Sequence, residues 1–273
     1  MSEIHIATRD GQKAVYHSTE ISPAFAAGRI PGDSLYWQAG MAEWRPVAEL
    51  GVRVPAAPAM PPLPAYKFYK DPSFLTSILV FLIYTQAAAA AISLFSDFAQ
   101  LALLGSSNLT EASGAANDAR QQVIGIIYLL VYLTTAIFFL TWINRANKNC
   151  RGFTSGMEFT SGWSIGWFFV PIANLFKPFQ AMSEIWRVSH DPVNWKTMSP
   201  PALMRWWWGL WLAAGFLGQA SFRMTMNAET IDALKASTTV SIISSVLDIP
   251  LCIVAAIMVG KIFQAQKTLV SGE

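Results

Sequence analysis

The sequence predicts a multi-domain protein: a small α/β (α+β) head at 1–52, a proline-rich linker at 53–71, and an all-α polytopic membrane helical bundle at 72–273. Three observations predict it. Hydrophobic residues make up 53% of the 273 residues and charged residues only 13%, against about 25% charged in ordinary soluble domains. Uncharged runs of helix-spanning length recur after residue 71. The first 52 residues have none, and carry short strand-like stretches between turn residues instead.

The head is justified element by element. Ile4, Ile6 and Ala7 read as a first short strand, Asp10-Gly11 as a hairpin turn and Ala14, Val15 and Tyr16 as a second strand. Ser22-Pro23 opens a short helix with proline at its first position, and Gly28 closes it. Ser34 to Gln38 is another strand, turned by Gly40. Trp37 and Trp44 are expected to supply apolar area to the small core. Residues 1–52 hold four Lys/Arg and six Asp/Glu, the remainder fifteen and eleven. An acidic head without a basic stripe excludes a nucleic-acid partner. Cys150 and Cys252 are far apart and in no CxxC spacing, so neither a disulfide framework nor a metal site is expected.

The run Gly28-Arg29-Ile30, then Asp33-Ser34-Leu35-Tyr36-Trp37, then Gly40-Met41-Ala42-Glu43-Trp44-Arg45-Pro46, and finally Leu50, resembles the bacterial GYF-type domain (the second GYF family) over residues 3–51. That family usually has Gly-Pro where this chain has Lys13-Ala14-Val15. The resemblance implies an aromatic groove for proline-rich peptides, with Tyr36, Trp37, Met41 and Trp44 as the binding residues of the head. The linker run from Pro55 to Pro64 favours polyproline II structure. It reads either as a semi-rigid spacer or as a proline-rich ligand for a GYF-like head.

Four uncharged runs follow: 72–96, 121–144, 206–222 and 236–260, the last interrupted only by Asp248. A bilayer core needs about 20 helical residues. The third run is short, but Arg205 and Arg223 can snorkel to its two interfaces. The expected helices are 72–97, 121–145, 205–223 and 236–261, with a re-entrant or interfacial helical hairpin at 159–188. That hairpin accounts for a fifth apolar run, broken at Pro171, which would disrupt a spanning helix. With the hairpin returning to its own side and the head cytoplasmic, eleven Lys/Arg fall inside and three outside. Four crossings with both termini inside therefore satisfy the positive-inside rule. The polar start MSEIHIATRD lacks the apolar core of a signal peptide, so the first hydrophobic helix is expected to be an uncleaved anchor.

The second half of the hairpin is amphipathic. Phe179, Met182 and Trp186 share one face, with Gln180, Glu184 and Arg187 elsewhere, so it is expected to lie in the cytoplasmic interface. Nine of the eleven tryptophans fall in the membrane part. Trp142, Trp163, Trp186, Trp195 and Trp206 to Trp208 are expected to form one aromatic belt.

The segment Trp142-Ile143-Asn144-Arg145-Ala146-Asn147-Lys148-Asn149 and the block from Gly162-Trp163-Ser164-Ile165-Gly166-Trp167 through Pro171-Ile172-Ala173-Asn174 and Lys177-Pro178 to Trp186 carry a second resemblance. With Trp195 and Trp206-Trp207-Trp208 in order after them, they resemble the bacterial membrane family known as domain of unknown function 4328, over roughly residues 72–265. Members can carry a GYF-type domain at the N-terminus. The resemblance implies a membrane location and no activity.

No catalytic set is visible. His5, His17 and His190 belong to no known motif, and no nucleophile elbow or phosphate loop is present. The membrane-domain candidates are Arg145, Asn149, Trp163, Pro171, Asn174, Pro178, Trp186 and Asp248. Asp248 stands out, because a carboxylate at mid-span is costly unless paired, protonated or wet. It reads either as part of an ion, proton or ligand pathway, or as a clasp for backbone groups freed by Pro250. Asn174, Gln86 and Arg145 are its expected partners. Arg145 and Lys148 read as charges at a helix C-terminus, or as a contact to the hairpin or a lipid phosphate.

The expected function is that of a non-enzymatic protein of the bacterial inner membrane, multi-pass, with the head and C-terminus cytoplasmic. It presents a peptide-interaction module and tethers partners, without cofactor. The alternative is a channel, transporter or lipid-handling protein using the hairpin and Asp248. Membrane lipid and a proline-rich peptide or protein are the expected partners, and the pattern is compatible with a homo-oligomer.

Overall fold

A computed structural model describes residues 3–8, 11–51 and 66–272. The chain divides into two compact units, Met1–Pro64 and Ala65–Glu273. Residues 53–65 of the expected proline-rich linker lie outside the described residues, as does Asp10 of the expected hairpin turn.

In the first unit, β1 (Glu3–Ala7) pairs antiparallel with both β2 (Lys13–His17) and β3 (Leu35–Gln38), and β3 pairs with β4 (Arg45–Pro46). The strand order is β2-β1-β3-β4. Strand alternation sends Ile4, Ile6 and Tyr36 to one face. There they bury against Ile21 and Ala24 of α1 (Ile21–Ala26), with Ile30 and Val47. The opposite face carries His5, flanked in register by Val15 and Trp37. Gly28 ends the helix at φ +69, as its position predicts.

Two expectations are corrected and two elements are added. Pro23 is the third residue of α1, not the first. The short β4 and a 3-10 turn at Val47–Leu50 complete the unit unannounced. Trp44 is 38% exposed and outside the core, where Tyr36 and the isoleucines already occupy the inner face.

The second unit is built on four long helices: α2 (Ser73–Leu104), α3 (Glu111–Phe153), α6 (Ala202–Met226) and α7 (Ile231–Ser271). Between α3 and α6 lie a single turn, α4 (Trp163–Gly166), 3-10 turns at Trp167–Phe169 and Ala173–Leu175, and α5 (Lys177–His190). Three helices, α2, α3 and α7, are long and apolar enough to cross a membrane. The 25-residue α6 carries the tryptophan cluster and is less apolar.

All four helices outrun their expected bounds, because charges mark where apolar surface ends and not where helical hydrogen bonding ends. The 43 residues of α3 span about 65 Å, against about 30 Å of hydrocarbon. Its start is set by a capping box, in which Thr110 Oγ1 accepts from Ser113 N at 3.2 Å and Thr110 N donates to Ser113 Oγ at 2.9 Å. Thr230 caps α7 through Ala233 N at 3.1 Å.

The segment 159–188 is broken into short turns around Pro171 before α5 begins. Ile172 there has φ +66, a strained position for a β-branched residue. Its second half is packed within the protein on more than one face. Nine of the fourteen residues of α5 are buried, among them Met182, Ile185 and Val188 in the main core beside Ile143, Met204 and Met258. Glu184, expected on a polar face, is 1% exposed. Its Oε1 accepts from Glu158 N at 2.6 Å and its Oε2 from Phe159 N at 3.1 Å. These bonds tie the entry of the broken segment to α5. The expected aromatic belt is also corrected: Trp142, Trp186, Trp195, Trp207 and Trp208 are buried in the core, whereas Trp163 and Trp206 are exposed.

Burial pushes the Glu184 carboxyl above its usual range, against the opposing pull of the two backbone donors. A raised folded-state value favours the fold below the unfolded value, and that contribution is lost as pH rises through the folded one. In Glu184→Gln the pH term vanishes and one backbone N–H loses its acceptor, at a cost of about 2 kcal/mol. Melting of detergent-solubilised protein should place the variant below the wild type, with the gap widening as pH falls from neutrality toward the carboxylate range.

Candidate functional site

Packing in the second unit runs α3 to α2, α2 to α7 and α7 to α6. Two cavities lie where α3 and α6 face each other. One, of about 350 Å³, is walled by Phe139 and Leu140 of α3, Trp207 and Trp211 of α6, Phe168 of the broken segment and Leu251 of α7. The other, of about 520 Å³, is walled by polar side chains, including Asp97, Gln100, Gln121, Thr238, Ser241 and Ser245. Tyr128 and Asp248 line both. The Tyr128 hydroxyl donates to Asp248 Oδ2 at 2.8 Å, so this pair forms the shared wall.

Tyr128 is thus the hydrogen-bond partner of Asp248, in place of Asn174, Gln86 or Arg145. Arg145 bonds instead to the Asp71 carbonyl at 3.4 Å. The expected clasp between Asp248 and backbone freed by Pro250 does not form among the described residues. Gln86 does line the apolar cavity with Asp248. It is 6% exposed, and neither atom of its carboxamide has a hydrogen-bond partner among the described residues. It lies near the Tyr128 hydroxyl without closing a bond to it.

Along the wall of the polar cavity a network joins three helices. Asp97 accepts from Ser241 Oγ at 2.7 Å and from Gln121 Nε2 at 3.2 Å. Gln100 donates to Thr238 at 2.7 Å and accepts from Asn117 at 3.1 Å. Arg120 donates to Asn117 Oδ1 at 2.6 Å and to Ser96 Oγ at 3.1 Å. Sequence reasoning passed over Asp97, taking it as the charge ending the first helix, and passed over Tyr128 entirely. A signal existed: Ser93, Asp97 and Gln100 on α2, Asp118, Gln121, Gly125 and Tyr128 on α3, and Ser237, Ser241, Ser244, Ser245 and Asp248 on α7 recur at helical spacing.

The other candidates gather at the opposite end. Asn149 exchanges two bonds with the Lys70 backbone, at 3.2 and 3.3 Å. Asn144 donates to the Ser161 carbonyl at 2.7 Å and Asn147 to the Phe159 carbonyl at 3.1 Å. The motif therefore clamps the chain entering α2 and the broken segment. Because α3 continues to Phe153, Arg145 and Lys148 do not cap its end as expected; Arg151 stands in the last turn. Trp163 is exposed and lies against Trp167, with ring centroids 4.6 Å apart. Pro171 and Asn174 lie in the broken segment, Pro178 opens α5, and Trp186 stacks on His190 at 4.2 Å. None of these reaches Asp248.

In the head, Tyr36 belongs to the core and not to an open groove. Trp37 is half-buried and donates to the Met41 carbonyl at 2.8 Å. Trp44 is exposed, with the Lys13 ammonium 5.9 Å from its ring centre. Among the described residues no group of three or more His, Cys, Asp or Glu is arranged to hold a metal ion.

Three helices long and apolar enough to cross a membrane, with a polar network between them, match the class of helical membrane proteins. The chain belongs to the family described as domain of unknown function (DUF4328), whose model matches residues 106–264. The match runs from just before α3 into α7, and leaves out the head and α2. No curated protein and no solved structure gave a match.

Because Tyr128 and Asp248 satisfy one another, removing one partner should cost more than replacing both by apolar groups. Asp248→Leu should lower stability by about 2 kcal/mol. The double change Asp248→Leu, Tyr128→Phe should recover part of that loss. Thermal unfolding of the four proteins in one detergent measures the coupling.

Proposed function

We propose that this protein binds a small solute within the membrane and passes it between its two cavities, with Tyr128 and Asp248 as the contacting pair. The carrying observation is that one hydrogen-bonded pair, centred on a mid-span carboxylate, lines both an apolar and a polar cavity. Intramembrane ionisable residues facing a cavity mark substrate or ion paths. The broken segment supports the same reading, since Phe168 reaches the apolar cavity and irregular backbone at membrane depth belongs beside such paths. The role is non-enzymatic.

The working topology has α2, α3, α6 and α7 as four crossings of a bacterial inner membrane, with head and C-terminus cytoplasmic. Eleven Lys/Arg against three support it. A cysteine at position 196 should resist an impermeant reagent added outside, and one at position 110 should react. Reaction at 196 would overturn this arrangement. For the site, Asp248→Asn should preserve folding and abolish solute flux in proteoliposomes; equal flux by wild type and variant would remove Asp248 from the path.

A second reading concerns the head. One sheet face carries Val15, Leu35 and Trp44 exposed to solvent beside His5 and Trp37. That face favours a GYF-like interaction module that tethers a proline-rich partner at the membrane. Pull-downs with the intact protein and with Trp44→Ala should differ in at least one bound protein, and identical recovery would end this reading.

A further inference from the structure

We infer that the apolar cavity takes an organic cation, an ammonium head on an apolar body, with Asp248 and Gln86 holding the head. The inference rests on the proposed solute site and names its ligand class.

The walls include Leu133, Phe139, Leu140, Trp207, Trp211 and Leu251, and the polar lining includes Asp248, Tyr128 and Gln86, with the Tyr128 hydroxyl bonded to Asp248 and near Gln86. A volume of about 350 Å³ suits a small organic body, and sparse, convergent polar groups in an apolar pocket are how such ligands are oriented. The sign of the head follows from the partners. Asp248 receives one hydrogen bond, from Tyr128, and no Lys or Arg forms an ion pair with it among the described residues. A carboxylate accepts several bonds, so acceptor capacity remains. Gln86 is the independent observation: a carboxamide more than nine-tenths buried, lining the same cavity, with both polar atoms unpartnered. A buried amide in that state calls for a partner, a water or a ligand, to meet it.

An ammonium group answers the free acceptor capacity of Asp248 and of Gln86 Oε1 together. Its N–H groups can donate to Asp248 and to Gln86 Oε1, and Tyr128, Tyr132 and Trp211 line the same cavity, aromatic rings of the kind that attract a cation. A bare metal cation fits less well, because it needs an oxygen shell that the aromatic and aliphatic walls do not supply. An anion is repelled by Asp248. A neutral isostere leaves the carboxylate without a counter-charge.

The test uses the full chain in lipid nanodiscs, titrated calorimetrically against empty discs with three probes of one shape: phenethylammonium, phenethyl alcohol and hydrocinnamate. Phenethylammonium should bind saturably, the alcohol about tenfold or more weaker, and hydrocinnamate not at all. Asp248→Asn should weaken the amine by about tenfold and erase its advantage over the alcohol. Gln86→Leu should weaken it less. Melting curves establish that each variant folds, and the amine-to-alcohol ratio of the wild type stands without any variant. Equal binding of amine and alcohol, an unchanged preference in Asp248→Asn, or no saturable binding of the amine overturns the inference. Binding of the alcohol or hydrocinnamate that Asp248→Asn abolishes overturns the ligand class and leaves the solute site intact. Flux that ignores Asp248 removes the site itself.

Discussion

The membrane unit depends on how a carboxylate is accommodated in the middle of an apolar helix. Asp248 is expensive in a low-dielectric surrounding unless another group answers it. Tyr128 supplies that answer, reaching from α3 to α7. The hydrogen bond bridges a region where side-chain packing leaves two hollows. It therefore separates an aromatic chamber from a polar one. Filling the gap with side chains would have removed both the cavities and the reason for a polar group at this depth.

The two ends of the bundle are fixed differently. At one, Asp97, Gln100, Asn117, Arg120, Gln121 and Ser241 close a network across α2, α3 and α7. Buried polar groups satisfied in this way specify one arrangement of neighbouring helices. At the other, close packing does the work. α5 is wrapped by Trp142, Ile143, Met204, Met258 and Ile262, and asparagines of α3 hold the irregular segments by their backbones. Glu184 belongs to this end, bonding two backbone N–H groups that the broken segment could not satisfy itself. The network end lines the polar cavity, and the apolar cavity lies between Tyr128 and the broken segment.

Much of the fold was legible in the sequence. Long uncharged runs announce membrane-length helices, because hydrocarbon tolerates few charges over about 20 residues. Alternation of Ile4 and Ile6, and Gly28 at a helix end, gave the head its sheet and its short helix. The importance of Asp248 was legible for a similar reason, since a lone charge inside an apolar run has an energetic cost anywhere in it. Helix ends were less legible: charged residues leave the bilayer without leaving the helix, as the capping box at Thr110 shows. Glu184 and five of the tryptophans misled, because an amphipathic pattern or aromatic count does not say whether lipid, water or protein lies opposite.

By itself, then, the sequence determined that this chain has a small sheet-bearing head, several membrane-length helices and one anomalous carboxylate between them. These are properties of local composition and period, and local chemistry is enough to fix them. Only the tertiary structure decided that Tyr128 meets Asp248, that Asp97 faces Ser241, that α5 is interior, and that Gln86 is left without a partner. Each of these joins residues distant along the chain or empties the space between them. Which groups meet depends on how long helices cross and rotate against one another, and that follows from the summed packing of all of them rather than from any one stretch of sequence.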